Sequence, residues 1–531
     1  MYSGLNDPAQ WVLPRVLEEM AKTKPTETWI TTIEGDSLTF GEAFYDVLHV
    51  AGYFASLGVK HGDRVGVFMG NSCDFVRVWL GLGRLGAVAV FLNTELKGTF
   101  LTHQLVNSAL SLAVVDATLL TVLEAVATDS MGLRAVVLVD GTGTVSTDKF
   151  QVHSFAKWRT SSPWEGPMPM ARDLACIMYT SGTTGPSKGV LMPHAHCALY
   201  GIGEIEALQL GPGDRFYICM PLVHANGLLM QLSATLLAGI PAVVRTRFSA
   251  SAWLEEVRQY DITVTNLMGT LPAFILAQPP SLRDTDHKLR KMLSAPNLPA
   301  HEALFHERLG IRDVISGFGM TEVNIPIWGR LGTSLPGKSG WVYERYFEVR
   351  IADPETDELL PSGEQGEIQV RPKLPFGFGA GYFNMPERTV ESWRNLWFHT
   401  GDSATMTADG VVTYIDRIKD CIRRRGENIS ATEVESAIEG LPGVAEVAAY
   451  PVPSDIPGAE DDLMLAIVPK PGCTVCLHDI GRQAENLLPR FAKPRYLRLV
   501  DEMPRTATGK VQRAILRKQG IQNAVDREAA K

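Results

Sequence analysis

The sequence predicts an α/β protein. A large N-terminal domain of two α/β sheet layers is completed by a small β-barrel-like subdomain and followed by a small α+β C-terminal domain. Three observations carry this. Short apolar, β-rich runs alternate with amphipathic segments over most of the chain, which is the rhythm of βαβ units and parallel sheets. The stretch from 347 to 370 switches to strand and turn signals. At 531 residues the chain also exceeds what one compact core supports.

Taken in order, EAFYDVLHVAGYFASLG reads as a helix, RVGVFMG as a strand, DFVRVWLGLGRLG as a helix, AVAVFL as a strand, and FLTHQLVNSA as a helix before the strand LAVVD. The rhythm returns in DRFYICM, LLMQLSATLLAG, PAVVRT, WLEEVRQYD and VTNLMG, giving the second layer. FEVRIADPETDELLPSGEQGEIQV reads as strand, turn, strand, with Pro and Gly as punctuation. After Arg417 come a charged turn, the helix TEVESAIEG and the strands VAEVAAYPV and LMLAIVP, so the domains are drawn as 1–417 and 418–531. The polar tail from Gln519 is expected to fray. GDSL at 35–38 imitates a lipase motif but reads as a turn entering a strand and a helix.

Hydrophobic content of 45% and charged content of 21% are ordinary for a soluble globular protein. A net charge of −9 argues against binding nucleic acid through phosphate neutralisation. Cysteines at 73, 176, 197, 219, 421, 473 and 476 form neither a disulfide framework nor a zinc pattern and suit a reducing cytoplasm. His194 and His196, beside Cys197, read as helix-start residues rather than ligands. No run approaches the ~18 apolar residues of a membrane span, and the N-terminus lacks a signal-peptide pattern. A cytoplasmic location is expected, and a homodimer is the prior for assembly.

The segment 179–189, YTSGTTGPSKG, gathers hydroxyls and glycines around Lys188. Backbone this bare can wrap its N–H groups around phosphate oxygens, with Ser and Thr as further donors and Lys188 as a point charge. It departs from the Walker loop, because Gly189 rather than Ser or Thr follows the lysine.

With PLVHANGL (221–228), GFGMTE (317–322), HTGD (399–402), DRIKDCIRRRGENIS (416–430) and PRTATGKVQR (504–513) following in order, the chain resembles the adenylate-forming superfamily. That superfamily contains acyl-CoA synthetases, luciferase-type enzymes and peptide-synthetase adenylation domains. The wording of GFGMTE and RRRGEN is most similar to the crotonobetaine/carnitine-type CoA ligases.

The resemblance implies an ATP-dependent carboxylate–CoA ligase that uses Mg2+ and coenzyme A and works through an acyl-adenylate. In that reading Thr180, Ser181, Gly182, Thr183, Thr184, Gly185 and Lys188 cradle the phosphates, while Thr180 and Glu322 hold the metal. Ser294, Ala295 and Pro296 line the adenine edge, Phe318 stacks on its face next to Gly319, and Thr321 lies near the α-phosphate. Phe318 stands where tyrosine is common in the family, and SAPNLP replaces a glycine-rich version. Asp402 takes the ribose hydroxyls, Arg417 binds ribose or phosphate from the domain junction, and His224 gates the acyl pocket. The C-terminal domain is implied to be mobile about Lys419. It brings in Lys510 for adenylation, then Arg423, Arg425 and Gly426, with Arg424 in the same run, for CoA.

The acyl pocket is drawn from 223–227, Met268, Gly269 and 317–320, which are small or apolar and carry no charge to pair with a substrate amine. A hydrophobic or alicyclic acid is expected. The alternatives are a stand-alone adenylation enzyme loading a carrier protein, and a non-catalytic acyl or nucleotide binder.

Overall fold

The computed structural model describes residues 1–128, 132–140, 147–180, 186–418, 422–424, 426–456, 458–505 and 511–529, with side chains at all of these except 416, 417, 428 and 432. The six strands expected from apolar runs join eight others in two seven-stranded sheets. In the first, the order is Gln151–Ser154, Ala135–Val139, Leu112–Asp116, Arg64–Phe68, Val88–Phe91, Leu174–Thr180 and Lys188–Pro193. In the second it is Asp313–Ile315, Lys291–Ala295, Val264–Met268, Phe216–Ile218, Ala242–Val244, Thr28–Thr32 and Ser37–Thr39. Every pairing is parallel except the last of each sheet. The strands RVGVF and AVVLV are almost wholly buried, the signature of parallel strands covered on both faces by crossover helices.

The helix Phe40–Ser56 starts where the GDSL turn ends. Thr39 accepts from the Glu42 amide while Glu42 reaches back to Thr39, a capping box that fixes its first turn. The helix Cys73–Leu85 is capped by Ser72 and stops at Gly86, whose φ of +83° is left-handed. His194 and His196 do begin a helix, His194–Leu208, and both are buried.

The antiparallel unit foreshadowed at 347–370 is larger than that segment. It is an eight-stranded sheet running from Gly317–Met320 to Val411–Arg417 in the chain, with Phe347–Ala352 paired to Gly366–Pro372. Past it lie the hairpin Ile422–Arg424 with Glu427–Ile429, the helix Ala431–Glu439, and a four-stranded sheet of Val444–Val452, Asp462–Pro469, Tyr496–Leu499 and Val525–Asp526. One expectation fails here. The tail does not fray through its described length, because Val525–Asp526 pairs with Tyr496–Leu499 and the Arg527 guanidinium is bound by the Pro494 carbonyl.

One apolar cluster runs from Phe68, Leu101 and Leu105 on the N-terminal side to Ile429, Val434 and Ile438 on the C-terminal side. The C-terminal elements are therefore docked over the end of the first sheet.

Candidate functional site

The strands Leu174–Thr180 and Lys188–Pro193 form a hairpin that brings Thr180 opposite Lys188 in register. The loop at its tip, with Ser181, Gly182, Thr183, Thr184 and Gly185, lies outside the described residues. Lys188 Nζ sits 4.4 Å from the centre of the Tyr382 ring. Thr180 Oγ1 donates to Glu322 Oε1 at 3.0 Å, and the Tyr382 hydroxyl donates to the same oxygen at 2.9 Å. Glu322 is buried, and its second oxygen, Oε2, has no hydrogen-bond partner among the described residues. A buried carboxylate oxygen without a donor costs ~1–3 kcal/mol. Beside a threonine hydroxyl it supplies the hard oxygen donors a magnesium ion takes, so the residues present fit that ion.

Glu322 is held by buried polar anchors on the helix His194–Leu208. His196 Nε2 meets the Thr321 carbonyl at 2.9 Å, the Tyr200 hydroxyl donates to the Met320 carbonyl at 2.7 Å, and Asn324 Nδ2 donates to the His196 carbonyl at 3.0 Å. Asn324 has φ of +67°, a left-handed turn position that asparagine tolerates. Burial pushes the His196 imidazole down to about 4, so it is neutral and donates one N–H.

Around these residues opens a cleft of about 510 Å³, within the range of small-molecule sites. Of the expected site residues, Thr180, Lys188, His224, Gly319, Thr321, Glu322, Arg423 and Gly426 line it. Ser294, Ala295, Pro296 and Phe318 are not among its lining residues. Phe318 is buried, its ring stacked on Tyr414 at 6.0 Å. Asp402 is buried in the strand Trp397–Met406, in register with Arg417 on the neighbouring strand. Thr184, Lys419, Arg425 and Lys510 lie outside the described residues.

The C-terminal hairpin closes the cleft from the other side. His224 Nε2 lies 2.8 Å from Glu427 Oε1, and Asn93 Nδ2 donates to the same oxygen at 3.0 Å. Burial alone would lower the His224 imidazole, but the Glu427 charge and hydrogen bond, with Glu95 adding, hold it above its usual value. Burial pushes Glu427 up, and the His224 charge and hydrogen bond outweigh it, holding the carboxyl below its usual range. The cleft therefore contains, at Glu427, a charged acidic group beyond the residues from which the acyl pocket was drawn.

Gly426 takes φ of +81° at the hairpin turn, where a side chain would be strained. Its N–H donates to Glu460 Oε2 at 2.6 Å, while Arg423 Nε lies 2.8 Å from Glu460 Oε1. Arg424 points inward instead, with Nε on Asp462 at 3.0 Å. The Ser187 amide, at the end of the glycine-rich loop, donates to Glu433 Oε1 at 3.1 Å, and burial pushes that carboxyl up to about 7.

Tyr382, Glu427, Asn93 and Glu433 were not singled out from the sequence. Each meets the site only through a contact between segments far apart in the chain. The one local signal was GEN immediately after the arginine run, where only the glycine was read as functional.

The model of the AMP-binding enzyme family matches residues 17–383, and that of the AMP-binding enzyme C-terminal domain matches 433–510. Crotonobetaine/carnitine–CoA ligase from Salmonella paratyphi B is 29% identical over 476 residues, 88% of this chain and 90% of that protein. Among solved structures, o-succinylbenzoate CoA synthetase from Bacillus subtilis, bound to a product analogue, superposes with a TM-score of 0.81 at 23% identity, over 96% of this chain and 98% of that one. An anthranilate CoA ligase in complex with anthranoyl-AMP gives 0.72 at 27% identity, over 96% and 98%.

Proposed function

The chain belongs to the AMP-binding enzyme family, the adenylate-forming acyl- and aryl-CoA ligases, and from that premise we propose that it joins a carboxylic acid to coenzyme A at the expense of ATP. The observation that carries this reading is the Thr180–Glu322–Tyr382 cluster beside Lys188, facing the Gly426–Glu427 hairpin across one cleft.

A carboxylate has no good leaving group, so it must first be activated. One of its oxygens attacks the α-phosphorus of ATP, the bond to the β-phosphate oxygen breaks, and pyrophosphate departs with the electron pair. The Thr180 hydroxyl and the Lys188 ammonium stabilise the charge that develops on the departing phosphates. Thr180 and Glu322 would hold magnesium, which would neutralise triphosphate charge when bound. Thr321 and Gly319 lie along the α-phosphate and purine, with Ser294, Ala295, Pro296 and Phe318 behind them as the adenine wall. Asp402 accepts from the ribose hydroxyls with Arg417 beside it. Lys510 bridges carboxylate and α-phosphate in this half-reaction.

In the second half-reaction the thiol sulfur of coenzyme A attacks the acyl carbon and AMP leaves with the electron pair of the C–O bond. The glycine at 426 leaves room for the pantetheine arm, and Arg423 and Arg425 pair with phosphate oxygens. Glu427 on His224 closes the acyl side against water. The lobes divide at 417/418 and swing about Lys419, since Lys510 and the Gly426 face are needed at one place at different times. The docked hairpin supports the thiol-accepting arrangement as the one seen here.

The reading is tested by acid-dependent exchange of pyrophosphate into ATP, followed by release of AMP on adding coenzyme A. Exchange without any response to coenzyme A, but with acylation of a carrier protein, would replace the acceptor.

A further inference from the structure

Behind the inner wall of the cleft lies a group of buried polar atoms that neither half-reaction uses. Tyr200 lines the cleft, and Glu204 stands one turn further along the same face of the helix His194–Leu208. Met268 lines the cleft, and Asn266 stands two residues back on the same face of the strand Val264–Met268. Both Glu204 and Asn266 are fully buried, and among the described residues neither oxygen of Glu204 and neither polar atom of Asn266 has a hydrogen-bond partner. The Asn266 amide is a hydrogen-bonding neighbour of Glu204 that favours its charged form, through a contact longer or more bent than a normal bond.

Two more orphans come from the elements that wall the cleft. Trp328 Nε1 is 3.2 Å from where a Cβ on Gly203 would stand. Gln231 Oε1 belongs to the neighbour of the lining residue Met230, and its amide Nε2 donates to the lining residue Asn226 at 2.6 Å. Buried polar groups in proteins are mostly paired, so groups left unpaired on the elements that wall the cleft are placed to meet a polar group that enters it. Met230, Met268 and Ile325 line the cleft on the elements that carry or adjoin these groups, and methionine is the side chain that most easily yields to an incoming group.

We infer that Glu204 and Asn266 select carboxylic acids that carry a hydroxyl group at the end far from the carboxylate. The inference rests on the ligase reading above for which end of the acid faces Thr321. No basic side chain acts on Glu204, and burial pushes it up to about 8, so it holds its proton. A neutral carboxyl and a primary amide each give and take hydrogen bonds. A hydroxyl does the same, whereas a terminal methyl leaves all of them unpaired and an ammonium requires an ionised partner. Sites built this way reject the analogue that lacks the polar group far more strongly than apolar pockets reject an extra methylene.

The test uses the full-length protein and three matched acid series, straight-chain from hexanoate to dodecanoate and para-substituted aryl acids, each ending in a methyl or hydrogen, a hydroxyl or an amine. Two readouts are taken: acid-dependent ATP–pyrophosphate exchange, and the shift in Tm on adding acid alone. Wild type favours the hydroxy acid of best length over its plain counterpart by about 100-fold in kcat/KM. Glu204→Leu reverses the order, and Glu204→Gln, which keeps shape and polarity, retains it. Preference for plain or amino acids, or a hydroxyl preference that survives Glu204→Leu, overturns the inference. If no acid supports exchange but hydroxy acids raise the Tm of wild type and not of Glu204→Leu, the hydroxyl site stands and the ligase reading falls. If neither readout moves for any acid, both fall.

Discussion

His224 Nε2 and Glu427 Oε1 meet at 2.8 Å although 203 residues separate them in the chain, so the residue proposed to gate the acyl pocket is held by the hairpin proposed to admit the thiol. The pair is partly exposed, with side chains 32% and 23% accessible. It is fully formed only between the lowered Glu427 pKa and the raised His224 pKa. Above that window the ring loses its proton, and below it the carboxylate gains one.

Glu427→Gln is expected to lower the His224 titration midpoint, read by NMR of the ring protons. Partly exposed ion pairs contribute about 0.2–1 kcal/mol, so release of AMP by coenzyme A should slow only a few-fold while pyrophosphate exchange is unchanged. Equal slowing of both would place Glu427 in adenylation as well.

Glu322→Gln removes one of the oxygens suited to magnesium. Exchange is expected to fall by about 100-fold or more, the scale of deleting a preorganised charge-stabilising group. The Tm should hold or rise, because a neutral amide of the same shape replaces a buried carboxylate with a partnerless oxygen. A Tm collapse instead would make Glu322 structural.

Gly269 has φ of +59°, and a Cβ there would meet Glu460 Oε1 at 2.5 Å and Gly426 Cα at 3.0 Å. Gly269→Ala therefore wedges the lobes apart in the present arrangement, beside a left-handed strain of ~1–2 kcal/mol. The thiol step should slow about tenfold, equivalent to about 1.4 kcal/mol, with exchange retained. Stopped-flow separation of the two half-reactions reads this directly.

Most of the fold was legible because its signals are local. Buried runs such as RVGVF and LAVVD and the helix patterns between them need no knowledge of partners, and the strands Arg64–Phe68, Val88–Phe91 and Leu112–Asp116 fall where expected. The site was legible where chemistry is packed into one segment, as around Lys188 and in GMTE. It was not legible where two distant segments make one feature. Tyr382 reaches Glu322 from sixty residues away, Glu427 reaches His224 from another lobe, and Glu204 sits in what reads as an ordinary buried helix. The docked tail was missed for the same reason, since DREAAK is polar but Val525–Asp526 finds a strand edge.

Glu204 also predicts a pH dependence. Its folded value of about 8 lies above the ordinary 4.5, so the folded state keeps a proton that the unfolded chain releases. That contribution to stability is greatest below pH 4.5, declines as pH rises toward 8, and is constant above it. Glu204→Gln should flatten this slope in Tm between pH 5 and 8, and an unaltered slope would show that Glu204 is ionised in the fold.

The most direct measurement separates the half-reactions in Lys510→Ala. Given ATP, magnesium and an accepted acid, wild type should accumulate the acyl-adenylate and exchange pyrophosphate, then release AMP when coenzyme A is added. Lys510→Ala should lose exchange yet still convert supplied acyl-adenylate to the thioester. Wild type that never forms the mixed anhydride, or a variant that loses both steps equally, would contradict the account.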